Sequence, residues 1–157
     1  MGMYTEFGAK IKLKAEVISE VERLIESEIY EPTFWNEDKC NIYHFSERES
    51  IREYAKNFRA SMITLELEDD ILIAYGDLKN YTSTIEEFLD SVVIEFAEKI
   101  IFSYSHYEES YDDNFAKKYE LNCGNIIYSN IDESTCIRLI KENNLYSPLL
   151  KWVEKNG

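Results

Sequence analysis

One stretch, residues 83–100, constrains the fold more than any other. Ile85, Phe88, Leu89, Val92, Val93, Phe96, Ala97 and Ile100 recur at helical spacing and fall on one stripe. Ser83 and Glu86 open it with the spacing of a capping box, which supplies partners for two otherwise orphan backbone donors. Glu86, Glu87, Asp90 and Glu98 lie away from the stripe. Glu95 sits at its margin, with Lys99 as its i+4 partner. An apolar stripe this broad must be covered, so the chain needs a second apolar layer.

Candidates for that layer alternate with period two. Residues 4–13 set Tyr4, Glu6 and Gly8 against Thr5, Phe7, Ala9, Ile11 and Leu13, with Lys10, Lys12 and Lys14 on the wet side near the strand's end. Residues 62–68 and 71–75 form a hairpin around Asp69-Asp70. Residues 101–107 read as another strand, and residues 119–128 as strand-like pieces broken near Gly124.

Helical spacing returns at Val17, Ile18, Val21, Leu24, Ile25 and Ile29, until Pro32 ends it. Residues 33–41 are irregular, with Phe34 and Trp35 expected on the core. Residues 42–45 suit a short strand, and Ser46 with Glu49 caps a short helix carrying Ile51, Tyr54, Ala55 and Phe58. Asp132 or Ser134 can cap a helix from Cys136 to Lys141 that Asn143-Asn144 stops. Pro148 after Ser147 begins a last one.

The expected fold is one α+β domain over residues 1–157, an antiparallel sheet with helices packed on one face. Setting aside residues 33–59, the order follows the ferredoxin-like split β-α-β pattern, with a C-terminal helical extension.

Charge bears on function. Residues 60–116 hold fourteen acids and two bases, Lys79 and Lys99, so this stretch carries −12 of the chain's −14. Such a field favours encounter with a basic protein surface and repels nucleic acid. The twelve Tyr, eight Phe and two Trp argue against a disordered acidic chain. No apolar run approaches the roughly 20 residues that cross a bilayer, so no membrane partner is expected. Residues 1–6 carry no charged-then-apolar leader pattern. Cys40, Cys123 and Cys136 are odd in number and widely spaced, which suits free thiols in a reducing cytoplasm and no zinc site.

Motifs for chemistry are absent. The doublets Asp69-Asp70, Glu86-Glu87, Glu108-Glu109 and Asp112-Asp113 are adjacent pairs. Catalytic carboxylates need unlike environments, one dry and one wet, which exposed neighbours do not supply. No EF-hand pattern marks a divalent metal, although the 66–70 tip and the 108–113 loop could converge. His106 reads as a packed or half-exposed strand histidine, no Gly-x-Ser-x-Gly elbow exists, and nothing basic stands near Cys123 to activate it. No cofactor is implied.

What remains is a binding surface. Tyr104, Tyr107, Tyr111, Phe115 and Tyr119 interleave with Glu108, Glu109, Asp112 and Asp113, and rings in a charged field are what protein interfaces use. The competing reading puts alternate tyrosines at the core edge. The candidate contact residues are these acids, Tyr104, Tyr107 and Tyr111, with Glu66, Glu68, Asp69, Asp70, Glu86, Glu87 and Asp90.

Three patches carry a resemblance. Tyr4-Thr5-Glu6-Phe7, then Leu78-Lys79-Asn80-Tyr81 leading into Ile85-Glu86-Glu87-Phe88-Leu89-Asp90, then Tyr104-x-x-Tyr107-Glu108-Glu109 resemble a group of small uncharacterised phage and prophage proteins. Residues 33–59 and those from Asp132 onward lie outside it. The resemblance implies a host-directed accessory role and transfers no catalytic residue. The expected function is therefore a non-enzymatic, phage-type inhibitor that offers carboxylates in place of phosphates to a nucleic-acid-binding defence protein. An immunity protein against a cognate nuclease toxin uses the same physics, and an enzyme of unknown class is the third reading.

Overall fold

The computed structural model describes residues 4–26, 64–78 and 84–156. The expectations for residues 27–63, Lys79, Ser83 and Cys40 lie outside them. Six strands form one antiparallel sheet: β1 (Thr5–Leu13), β2 (Thr64–Glu68), β3 (Ile71–Leu78), β4 (Ala97–Tyr107), β5 (Ala116–Asn122) and β6 (Asn125–Ile131). Their spatial order is β2-β3-β1-β4-β5-β6, with every neighbouring pair antiparallel. The first strand thus lies between β3 and β4, inside the sheet.

Helix α1 (Ile18–Glu26) follows β1 through a 3-10 turn, and α2 links β3 to β4. Helix α2 starts as Thr84–Phe88, loosens into a π-helical stretch Leu89–Val93 and closes with Ile94–Phe96. It is shorter than its apolar stripe predicts. Ala97 and Ile100 still reach the same core, but from β4. There the pairing with β1 shifts register twice, which lets residues at helical spacing meet one face from a bulged strand. Lys99 therefore sits on a strand, and the expected helical pairing with Glu95 does not form. Lys14 closes the helix end instead. Its N–H donates to Phe96 O (2.9 Å) and its Nζ to Glu95 O (3.1 Å), putting a cation at the negative pole of the helix.

The sheet is covered on both faces. Phe7, Ile11, Leu72 and Ala74 pack against Val17 and Val21 on one side and Ile85, Phe88, Leu89, Val93 and Phe96 of α2. Phe7 meets Phe88 edge to face at 5.7 Å. Against the other face, Phe102, Tyr104, Phe115 and Ala116 pack with Cys136 and Ile140 of α3 (Glu133–Glu142), Leu145, and the half-buried Leu149 and Leu150 of α4 (Pro148–Asn156). The expectation of helices on one face holds for α1 and α2. The C-terminal helices α3 and α4, expected only as an extension, lie across the opposite side. A central strand between two helical layers loses its wet side, so Thr5, Glu6, Phe7 and Ala9 are all buried. Lys10 is not wet either; its Nζ donates to Asn143 O at the end of α3 (3.3 Å).

Two turns follow their residues closely. Asp69, with φ 56°, turns β2 into β3, and Cys123 (φ 53°) with Gly124 (φ 79°) turns β5 into β6, both positive as a tight hairpin requires. The side chain of Asp132 accepts Thr135 N–H (2.9 Å) and caps α3, which holds its carboxyl below the usual aspartate range. Asn144 (φ 53°) ends that helix.

Candidate functional site

The predicted contact residues divide between the two ends of β1. At the Leu13 end, Asp70 O accepts Leu13 N–H (2.8 Å), so the Asp69-Asp70 turn sits there, flanked by exposed Glu66 and Glu68 on the edge strand β2. Tyr75 OH donates to Glu66 Oε1 (3.1 Å). At the Thr5 end, Glu108 N–H donates to Tyr4 O (3.1 Å), which anchors the turn carrying exposed Glu109, Asp112 and Asp113. Eight residue steps at about 3.3 Å each put roughly 26 Å between the ends. The hairpin tip and the 108–113 loop therefore do not converge. Along α2, Glu86 is half-buried, Asp90 is exposed, and Glu87 follows Glu86 in sequence.

The tyrosine row splits as well. Tyr107 is 41% exposed and Tyr111 73%, while Phe115 and Tyr119 are buried. Tyr104 is fully buried and cannot be a surface anchor. Strand alternation explains the split: Tyr104 points into the layer beneath α3 and α4, and Tyr107 has the opposite parity. Gly8 lies directly across from Tyr104, and a Cβ there would come within 2.5 Å of Tyr104 Cε1, so only glycine lets the ring lie against β1.

From Tyr104 the structure leads to a site that the sequence reading missed. Tyr104 OH donates to Glu6 Oε2, which also accepts from Ser147 Oγ (2.6 Å); Glu6 Oε1 accepts Leu149 N–H (2.8 Å). Glu6 is buried at the N-terminus of α4, where Ser147 Oγ accepts Leu150 N–H (3.0 Å) and Pro148 opens the first turn. A carboxylate here meets unpaired helix N–H groups and the positive helix pole. Burial, with Glu6 beside it, drives the Tyr104 hydroxyl far above its usual pKa, so Tyr104 remains a donor.

Glu6 pairs across the sheet with Asp77 on β3 and His106 on β4. Directly opposed residues share a face, so the three side chains form one row. The His106 ring is buried, stacks on Phe115 with centroids 4.0 Å apart, and brings Nδ1 within 2.8 Å of Phe115 O. A carbonyl oxygen can only accept, so Nδ1 carries a hydrogen and Nε2 is the ring nitrogen left for another partner. Nε2 has no partner among the described residues. Desolvation, reinforced by Glu6 and Glu108 and opposed by His106, raises the carboxyl of Asp77 above the usual aspartate value. Glu108 Oε1 accepts Tyr4 N–H (3.0 Å).

These groups open onto a cleft of about 390 Å³. Its polar lining is Glu6, Asp77, His106 and Glu108; the remainder is Tyr4, Pro148, Leu149 and the largely exposed Trp152. Among the described residues no lysine or arginine lines it. It is a concentration of acceptors at the same end of the sheet as the acidic turn. No serine, threonine, cysteine or lysine is in its lining among the described residues, and no group of three His, Cys, Asp or Glu among them is placed to hold a metal. The signals in the sequence are faint: Glu6 stands near the start of one strand-like run, and Asp77 lies just past the end of the 71–75 run. Their meeting with His106 depends on pairing register.

Other features carry less chemistry. A wider groove of about 700 Å³ beside α3 and α4 is lined by Ile137, Val153 and the Arg138–Glu142 ion pair (3.2 Å). Cys123 is exposed in its turn; Cys136 is buried, and burial pushes its thiol up to about 12. No helix among the described residues is long and apolar enough to cross a membrane. Compared with known proteins, no family model, no curated protein and no solved structure matches this chain.

Proposed function

We propose that this chain is an acidic, non-enzymatic interaction protein that engages a basic protein surface with the Thr5 end of its sheet. The observation that carries this is the turn after β4, where Glu109, Asp112 and Asp113 stand exposed beside the exposed rings of Tyr107 and Tyr111. Carboxylates there steer encounter, and the rings provide contact area that can be desolvated. The −12 charge of residues 60–116 extends the field beyond the contact itself. The class of partner it suits best is a nucleic-acid-binding protein, whose groove is built for phosphates. With the three patches described above, the proposed setting is phage-type inhibition of a host defence protein in the cytoplasm. The strand order β2-β3-β1-β4, with α1 and α2 on one face, supports a ferredoxin-like split core to which β5, β6, α3 and α4 are added.

Affinity capture from host lysate at low and high salt, read by mass spectrometry, tests the proposal. A captured basic protein should associate more slowly as salt rises. The variant with Glu109, Asp112 and Asp113 all changed to Lys should lose it while its circular dichroism is unchanged. A folded variant of that kind that binds at the wild-type rate would leave the acidity a role in solubility alone.

A further inference from the structure

We infer that the cleft between β1, β3, β4 and the start of α4 is a seat for a guanidinium, the side chain of a partner arginine. This rests on the reading of the chain as a receptor for a basic surface, and it names the group that enters. The carboxylates of Glu6, Asp77 and Glu108 supply the acceptors that line the cleft, and His106 adds a second ring nitrogen, Nε2. His106 is more than nine-tenths buried and uses only Nδ1, so its second nitrogen is desolvated and without a hydrogen-bond partner among the described residues. The exposed carboxylate of Asp77 likewise makes no side-chain hydrogen bond among them. Leaving a buried polar atom such as Nε2 unpaired is costly, and a ligand that bonds to it recovers that cost.

The arrangement selects the shape of the cation. Asp77 and His106 flank Glu6 on either side, so their strands are about 10 Å apart at the usual strand spacing. A planar fork of five N–H donors can address acceptors spread in that way, whereas an ammonium is a compact point with three. Tyr4 and Trp152 contribute rings to the lining, and guanidinium stacks on aromatic faces. Anions are repelled by three carboxylates.

The probe is the capped tripeptide acetyl-Gly-Arg-Gly-amide, titrated near neutral pH and followed by NMR at the Trp152 indole N–H, the His106 ring and the backbone amides. Two control peptides carry lysine and citrulline, the latter a neutral isostere of arginine. The Trp152→Phe spectrum assigns the indole signal. The inference expects saturable millimolar shifts at Trp152 and His106, weaker binding of the lysine peptide, and affinity at least about tenfold lower for citrulline, because a charge-assisted donor is lost. Asp77→Asn should weaken the arginine peptide by about threefold or more, because Asp77 is exposed and its loss leaves the amide spectrum otherwise intact. Glu6 is unsuitable for this purpose, since it holds α4 to the sheet. Equal binding of citrulline overturns the inference, as does the absence of any shift at Trp152 and His106. Shifts confined to the amides of residues 109–113 would overturn the guanidinium seat while supporting the acidic surface. Salt-independent binding of the captured partner would instead count against the surface reading.

Discussion

The two ends of β1 carry similar residues in different circumstances. At the Leu13 end, Glu66, Glu68 and Asp69 stand in water on an edge strand and a two-residue turn. At the Thr5 end, Glu6 lies beneath a helix start with three donors, Asp77 sits in its field, and His106 is stacked out of solvent. Acid count alone would not separate them. The difference lies in what covers them: α4 lies over one end and supplies Ser147 and Leu149 as donors. Partial desolvation there strengthens electrostatic interactions that water screens at the other end.

The largest expected break in that contrast is Glu6→Ala. It leaves the Tyr104 hydroxyl, the Ser147 hydroxyl and the Leu149 N–H without their acceptor, and should cost about 3–5 kcal/mol in urea unfolding. Asp69→Ala and Glu68→Ala at the solvated end should change stability by no more than about 0.5 kcal/mol, apart from the strain at Asp69's positive φ. Gly8→Ala comes next. Its Cβ would press on the Tyr104 ring, at about 1–3 kcal/mol of overpacking, measured by the same denaturation. Ser147→Ala removes both the cap of α4 and one donor to Glu6, for about 1 kcal/mol, with the loss concentrated in amide exchange of α4.

The smallest effect has the opposite sign. The carboxyl of Asp77 is raised in the folded state, so the fold holds its proton more tightly than the unfolded chain does. The ionised group is therefore a liability above its folded pKa, and the liability disappears as pH falls through that value to the unfolded 3.8. Asp77→Asn should raise the thermal midpoint slightly at neutral pH, and the gain should vanish below the unfolded value. A variant that is destabilised at neutral pH would mean Asp77 holds a partner that matters to the fold.

Much of the fold was legible locally. The period-two run of β1, the Asp69-Asp70 turn and the Pro148 start of α4 each depend on neighbours in sequence. So did Phe88, Leu89 and Phe96 as core. The end of α2 was not legible, because a π-helical stretch and a bulged strand present Ala97 and Ile100 to the same core as a longer helix would. Tyr104 was misjudged for a related reason. Both faces of its strand are covered, so its place among acidic residues in sequence says nothing about exposure.

By itself, the sequence determined the identity of the elements and the sign of the field: alternation makes strands, stripes make helices, and fourteen acids in residues 60–116 make the chain attract cations. These are local or summed properties, and they survive any rearrangement of the elements. Tertiary structure alone decided which acids act together. Residues 6, 77 and 106 became neighbours because β1 pairs with β3 on one side and β4 on the other, in a register that opposes them directly. A slip of one residue would send their side chains to opposite faces, and α4 would then meet no carboxylate at its start.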